Sequence, residues 1–390
     1  MASEQPGIRR APDVPALTIA MLGPAEPFRG GIVHYTALLR EELERRHRVS
    51  FFRFSRHYPR MLYPGEVNPE AVTASQNDGA AALDWMNPIS WESVARGIID
   101  AAPDIVIVPW WTTFWSLPYS WILRRVRARM KVRVLFICHN VLPHEHTALG
   151  RLATTLSLRA GTDFFVHSDD EAETLRGLVR AADPRVVPHP SYARFNTGRF
   201  DRATARERLG IEPEREVLLF FGYVRPYKGL AVLLRAMAEA ALSVRGVTLF
   251  VVGEFWEDRQ AHERTIAALG LGERVRIVDR YVPEDEMELY FAACDVAVLP
   301  YTSVTGSGAA QLAAGFRRPI VASALGDLTS VVRDGVNGYL VPPSDPAALA
   351  GAIARALDAR ETLQRNVDTA DEQRPWSRYV DEVERLVDGR

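Results

Sequence analysis

Two loops combine residue types and spacings that suit phosphate chemistry. The first, FGYVRPYKG at 221–229, sets Arg225 and Lys228 three residues apart between Gly222 and Gly229, directly after the apolar run VLLFFG. Two cations in a glycine-flanked loop at a strand end can converge on one anion, which points to a polyphosphate or a phosphate leaving group. The second, PYTSVTGSGAAQLAAGFRRP at 300–319, places Thr305, Gly306, Ser307 and Gly308 ahead of a small-residue helix that carries Gln311. Its free amides and the helix dipole, worth about half a positive charge, form a second jaw for the same anion.

Weaker signals lie in the first half. Gly30 and Gly31 open an amphipathic helix after the run LTIAML. That pair serves either close backbone approach to an anion or an ordinary strand-to-helix turn. HNVLPHEH puts His139 at a strand end with His144, Glu145 and His146 behind it. The H-x4-H-x-H spacing beside a proline matches no helical or zinc-ribbon pattern, so His139 reads as a polar contact to substrate and no metal is expected. In HSDDEAETL, Ser168 and Glu171 read as a capping box, with Asp169 and Asp170 opposing the helix dipole. Cys138 and Cys294 sit far apart in apolar runs and read as buried, unpaired thiols.

The elements that position these loops are short apolar runs at 17–22, 49–54, 105–108, 132–138 and 164–168, then at 217–222, 248–253, 275–279, 296–300 and 319–323. Continuous runs, each followed by a helical pattern, belong to parallel sheets buried on both faces. The chain therefore reads as α/β with two doubly wound domains joined near 190–200, and ligands are expected beyond the carboxyl ends of the strands. With 47 Lys+Arg against 49 Asp+Glu in 390 residues, the formal charge is −2. That balance argues against a nucleic-acid binder.

Together with VGE at 252–254, YVPEDEMELYFAACDVAVLPY at 281–301 and GVNGYLVPPSDPAALAGAI at 335–353, these loops resemble the family 4 retaining glycosyltransferases. The resemblance is strong from about residue 215 to 350 and weaker but ordered before that. It implies the GT-B fold, two Rossmann-like domains facing each other across a deep cleft. Residues 1–195 would form the acceptor side and 196–370 the donor side, with the helix of 371–390 packing back on the first domain. The implied activity is retaining, metal-independent transfer of a sugar from a nucleotide-diphosphate sugar, such as a UDP- or GDP-sugar, with no cofactor. The acceptor would be a glycan, a lipid-linked molecule or a small molecule, in polysaccharide or glycoconjugate synthesis.

Carried over by residue, the resemblance gives Arg225 and Lys228 the diphosphate and its departure. Ser307 and Gly308 add backbone donors, Gly31 closes on the phosphate, His139 contacts the donor sugar, and Tyr281, Val282 and Pro283 face the base. Two departures stand out. The family's glutamate pair would fall near Val304 and Leu312, yet no carboxylate lies between Asp295 and Asp327, which leaves Gln311 or backbone for the ribose. Arg225 also stands three residues after Gly222, where many members place arginine directly after that glycine. These departures keep two rivals: a non-catalytic partner that binds a sugar nucleotide, and a sugar-nucleotide epimerase or hydrolase.

Residues 105–123 carry no charge. Pro109, Pro118 and the β-branched opening predict a buried strand followed by an aromatic loop, not a membrane span. From Trp110 to Arg133, four tryptophans accompany Arg124, Arg125, Arg127, Arg129, Lys131 and Arg133 with no acidic residue. This suits peripheral membrane contact through 110–133 or a polyprenyl-phosphate acceptor or, equally, a covering helix with a solvated basic face and core or sugar-stacking tryptophans. The amino terminus lacks the apolar core of a secretory signal, so a cytoplasmic location is expected.

Overall fold

The computed structural model describes residues 15–56, 82–142, 147–303, 306–371 and 375–389. They fall into two units: Met1–Val166 with Ala172–Arg185 and Trp376–Arg390, and His167–Glu171 with Val186–Pro375.

The first unit carries β1 (Thr18–Gly23), α1 (Gly31–Glu44), β2 (Arg48–Arg56), β3 (Leu83–Asp84), α2 (Pro88–Ala101), β4 (Ile105–Trp110), α3 (Ser116–Arg127), β5 (Arg133–Cys138), α4 (Ala148–Leu158), β6 (Asp163–Val166), α5 (Asp169–Leu178) and β7 (Pro184–Val186). The strands run in the order β3-β2-β1-β4-β5-β6-β7. Every residue of β4 is buried, as a strand covered on both faces requires. On one face, alternate residues such as Val106, Val108, Val134 and Phe136 pack with Val94 and Ile98 of α2 and Ile122 and Val126 of α3.

The second unit carries α6 (Arg202–Arg208), β8 (Val217–Phe221), α7 (Leu230–Ala238), α8 (Ala240–Ser243), β9 (Thr248–Val252), α9 (Arg259–Ala268), β10 (Val275–Val278), α10 (Glu284–Ala293), β11 (Val296–Leu299), α11 (Gly308–Gly315), β12 (Ile320–Ser323), α12 (Leu328–Val331), β13 (Gly338–Val341), α13 (Pro346–Asp358) and α14 (Arg360–Asp371). Its strand order is β10-β9-β8-β11-β12-β13, and the neighbours pair in parallel. A buried ion pair fixes the base of this sheet. The Arg206 guanidinium reaches Asp295 at 2.8 Å and also donates to the carbonyls of Ala293, Pro213 and Arg215. Asp295 in turn accepts the Val217 amide at 2.8 Å, so both charges are offset by further hydrogen bonds.

The closing helix α15 (Trp376–Asp388) belongs to the first unit. Its buried residues Tyr379, Val380, Val383 and Leu386 recur at helical spacing, and Arg46 pairs with Asp381 at 2.5 Å. The Tyr379 ring meets Phe165 of β6 edge-on at 5.3 Å.

Two expectations for residues 105–133 are corrected. Pro118 lies in the first turn of α3, where a missing N–H loses no intrahelical bond. The aromatic stretch is therefore a short 3-10 turn at Thr113–Trp115 running into a helix, not a loop. Trp110, Trp111 and Trp115 are buried, the last stacked near Phe54 and Tyr119. Of the four tryptophans that suited a membrane interface, only Trp121 is exposed. Among the described residues no helix is long and apolar enough to cross a membrane. Cys138 and Cys294 are buried and share no disulfide, and burial pushes the Cys294 thiol up to about 12.

Gly229 makes the tightest contact that the second unit's loops depend on. It adopts φ 71°, and a Cβ there would lie 1.9 Å from the Pro300 carbonyl oxygen. Left-handed geometry alone costs a non-glycine residue about 1–2 kcal/mol. Gly229→Ala should lower the unfolding temperature by at least about 2–8 °C, measured by circular dichroism; an unchanged temperature would contradict this packing.

Candidate functional site

Numbered from its own first strand, the second sheet has the order 3-2-1-4-5-6, and its direction of winding reverses between β8 and β11. Ligands of doubly wound sheets bind beyond the strand ends at such a switch point. The loops that leave β8 and β11 are the cation-bearing loop at 222–229 and the loop that leads into α11.

Past β8, Gly222 turns the chain at φ 99°. Val224 then forms an isolated bridge with Phe255, its amide donating to the Glu254 carbonyl at 2.9 Å while the Trp256 amide donates back at 2.9 Å. This pairing lays the Arg225 guanidinium over the Trp256 indole, 4.2 Å from the ring centroid. Tyr223 stands on the same indole at 4.4 Å, and the indole N–H is held by Glu254 at 3.1 Å. Arg225 is thus a preorganised cation, with its planar fork fixed by an aromatic face.

A 3-10 turn at Pro226–Lys228 folds Lys228 back into the loop. The lysine is 8% exposed, its Nζ lies 5.8 Å from the Tyr301 ring centroid, and a Cβ on Gly222 would approach that nitrogen to 2.8 Å. No carboxylate among the described residues pairs with it. Burial, reinforced by the positive charge of Arg225, pushes the Lys228 ammonium down from its ordinary range to about 7.

A relay of contacts brings the helix start into the same corner. Thr302 donates its amide to the Tyr227 carbonyl at 2.7 Å, and the Tyr227 and Tyr301 rings meet edge-on at 5.9 Å. The Tyr301 hydroxyl lies 3.2 Å from Ser307 Oγ, which also accepts the Ala310 amide at 3.2 Å and so caps α11. Gly306 and Gly308 flank this cap, whereas Thr305 and Val304 lie outside the described residues. Gln311 is buried in the first turn of α11, and Leu312 is a buried apolar residue. Tyr281, Val282 and Pro283 follow β10, two strands from β8. Pro283 caps α10 and the Val282 side chain is buried.

In the first unit, Gly30 takes φ 116° as the N-cap of α1, and nothing lies within 4 Å of a Cβ built on Gly31. His139 follows β5, its amide bound to the Trp110 carbonyl at 2.8 Å. Its buried ring meets Tyr35 edge-on at 4.4 Å, and Tyr35 meets Trp376 of α15 at 5.0 Å. The closing helix therefore helps to fix the histidine. His144, Glu145 and His146 lie outside the described residues, and no metal-holding group of His, Cys, Asp or Glu occurs among the described ones. The Glu171 amide is bound by Ser168 Oγ at 3.3 Å, the forward half of the capping box.

Sequence reasoning passed over Trp256, Tyr301 and Asp327. An aromatic residue three positions beyond the strand-end Gly253 was the available signal for Trp256. Asp327 gave none. It is buried past β12, its carboxyl raised to about 6 by burial, with the Ser168 hydroxyl opposing that rise and Asp170 adding to it.

Two doubly wound parallel-sheet units, the second with a cationic, helix-capped corner at its switch point, define a protein of the GT-B class. Solved structures agree on that fold. Sucrose-phosphate synthase from Thermosynechococcus elongatus superposes with a TM-score of 0.70 at 20% identity, over 95% of this chain and 99% of that one. The Anabaena HepE protein in complex with UDP gives 0.68 at 18% identity, over 94% and 99%. Residues 215–359 match the family described as glycosyl transferases group 1. A D-inositol 3-phosphate glycosyltransferase of Geodermatophilus obscurus is 36% identical over 226 residues, 54% of this chain and 50% of that protein. One of Catenulispora acidiphila is 35% identical over 241 residues, 58% and 57% of the two chains. The chain thus spans about half the length of the curated relatives it matches.

The Lys228 environment has a consequence for anion binding. Below about pH 7 the ammonium is already protonated; above it the amine is neutral and must take up a proton to pair with a diphosphate. Calorimetric titration with UDP at pH 8, in buffers of differing ionisation enthalpy, should show proton uptake that vanishes at pH 6 and in Lys228→Met. Binding heats at pH 8 that do not depend on the buffer would contradict the burial of an unpaired lysine.

Proposed function

We propose that the protein is a retaining glycosyltransferase that moves a sugar from a nucleotide-diphosphate donor, a UDP- or GDP-sugar, to a hydroxyl of a glycan, lipid-linked or small-molecule acceptor. The observation that carries this reading is the buried Lys228 beside Arg225 and the capped start of α11. Such a corner is complementary to a diphosphate whose negative charge grows as the glycosidic bond breaks. The group 1 match over 215–359 and the UDP and UDP-glucose complexes of the HepE structures support the same donor class.

In the proposed reaction the C1–O bond of the donor breaks with its electron pair passing to the terminal phosphate oxygen. The acceptor oxygen forms the new bond to C1 on the same face, and its proton passes to the departing phosphate. Lys228 and Arg225 hold the diphosphate, and the amides at Ser307 and Gly308 add donors at the helix terminus. These fixed charges perform the neutralisation for which other transferases use a divalent ion, so we assign the reaction no metal and no cofactor. Gln311, in the first turn of α11, is assigned to the ribose side, and the backbone of Tyr281 to Pro283 to the base. Gly30, Gly31 and His139 of the first unit are assigned to the donor phosphate and sugar. A peripheral contact with a membrane surface belongs to the same reading where the acceptor is lipid-linked.

A thermal-shift screen of sugar nucleotides identifies the donor, because a ligand at 100 times its Kd stabilises the fold by about 2.7 kcal/mol. With that donor and an acceptor, Lys228→Ala should lose about 100- to 1,000-fold in kcat. Near-wild-type turnover in the variant would sink the assignment. Donor consumption that proceeds equally without acceptor would mark a hydrolase.

A further inference from the structure

The helices α2, α3 and α4 lie side by side on one face of the first unit's sheet, and their outer surface is unusual in composition. Eleven large apolar side chains are exposed among the described residues, and six of them sit here: Ile89, Leu117, Trp121, Leu149, Leu152 and Leu156. Scattered singly, such residues need no explanation; gathered on one face they mark a surface that meets something apolar.

The helix α4 is turned with its polar side inward. Its buried residues are Thr154, Ser157 and Leu158, whereas Leu149, Leu152 and Leu156, at i, i+3 and i+7, are 75%, 55% and 53% exposed. Hydrogen bonds hold it that way round. Ser157 Oγ donates to the Ser116 carbonyl at 3.0 Å and lies 3.2 Å from Ser120 Oγ, both on α3. Leu117 and Trp121, one turn apart, continue the apolar surface onto α3, and Ile89 and Trp121 line one shallow depression.

The charges on α3 and α4 are of one sign, whereas the depression beside Ile89 and Trp121 also holds Glu92 and Asp100 of α2. Neither α3 nor α4 contains an acidic residue. Arg124 and Arg127 of α3, Arg151 of α4 and Arg159 at the end of α4 are exposed. Arg125 is paired with Glu92 at 2.8 Å, so the excess rests with the others. An apolar stripe on two helices whose only charged residues are cations matches a bilayer with anionic headgroups, where the side chains enter the acyl boundary and the cations meet phosphates.

We propose that the outer face of α3 and α4, centred on Leu149, Leu152, Leu156 and Trp121, docks the protein onto an anionic lipid bilayer. The inference rests on the peripheral contact included in the functional reading above, and moves that contact from the buried tryptophans of 110–115 to the α4 leucines.

Flotation of the full chain with phosphatidylcholine vesicles, with and without phosphatidylglycerol, tests it. Binding is expected only to the anionic vesicles, weakening at about 0.5 M salt as the Debye length shrinks. Leu152→Glu with Leu156→Glu should reduce partitioning at least ten-fold while the unfolding temperature and the stabilisation by sugar nucleotide stay at wild-type values. If that variant unfolds, Leu149→Ser, Leu152→Ser and Leu156→Ser together serve the same purpose. Absence of binding to anionic vesicles, or binding that survives both sets of substitutions, would overturn the proposal. So would a dimer in sedimentation equilibrium that the glutamate pair dissociates, since the face would then pair two copies. Because nucleotide stabilisation is read separately, a wild-type protein that fails to bind anionic vesicles yet responds to nucleotide overturns the surface alone. Vesicle binding with no nucleotide response overturns the catalytic reading alone.

Discussion

A lysine buried beside an arginine and away from any carboxylate is the constraint on which the second unit turns. Removing an ammonium from water without a counter-charge is costly, and proteins usually escape that cost by ion pairing or by losing the proton. Lys228 has no carboxylate partner among the described residues, and its pKa falls to about 7. In the free protein the ammonium is therefore held without a counter-charge or loses its proton, and an anion that entered the corner would favour the charged form. The close contact of Gly229 with Pro300, the bond from Thr302 to Tyr227 and the Tyr301–Ser307 contact all hold the corner in one arrangement. Differential stabilisation of charge that grows on a leaving phosphate needs this kind of preorganisation.

The first unit meets a different constraint, which is the covering of a sheet apolar on both faces. On one side α1 and α15 do so, tied by the ion pair of Arg46 with Asp381 and by the Tyr35, Trp376 and Tyr379 rings. The same rings set His139, so the chain's last helix and its strand-end histidine share one packing cluster. On the other side α2 to α4 cover the sheet, and α4 does so with hydroxyls inward. That choice leaves three leucines in water, which folding alone does not explain and contact with a lipid surface does.

Most strands were legible because they form short continuous apolar runs, whose length and β-branched content favour a strand buried on both faces over a buried helix segment. β3 and β7 were not read, being two and three residues long, and β13 was seen only as part of the motif GVNGYLVPP. Pro118 misled because the interruption rule for helix interiors does not hold in a first turn. For Trp110, Trp111 and Trp115 the sequence left core and interfacial positions equally open, because composition does not tell one from the other, and the structure buries all three. Arg225 and Lys228 were legible as a pair of loop cations. That one would lie on an indole while the other turned inward depends on the bridge between Val224 and Phe255, a tertiary contact that no local pattern encodes.

In the function proposed above, Lys228 is a buried cation that has no carboxylate partner among the described residues and that a donor diphosphate would pair. Nuclear magnetic resonance titration of its side chain, labelled at Cε and Nζ and assigned through Lys228→Arg, tests this directly. The account predicts a midpoint near pH 7 in the free protein that rises by at least about one unit when UDP is bound, since pairing with an anion favours the ammonium. A midpoint in the free protein at the ordinary lysine value of about 10.4, unmoved by nucleotide, would contradict it.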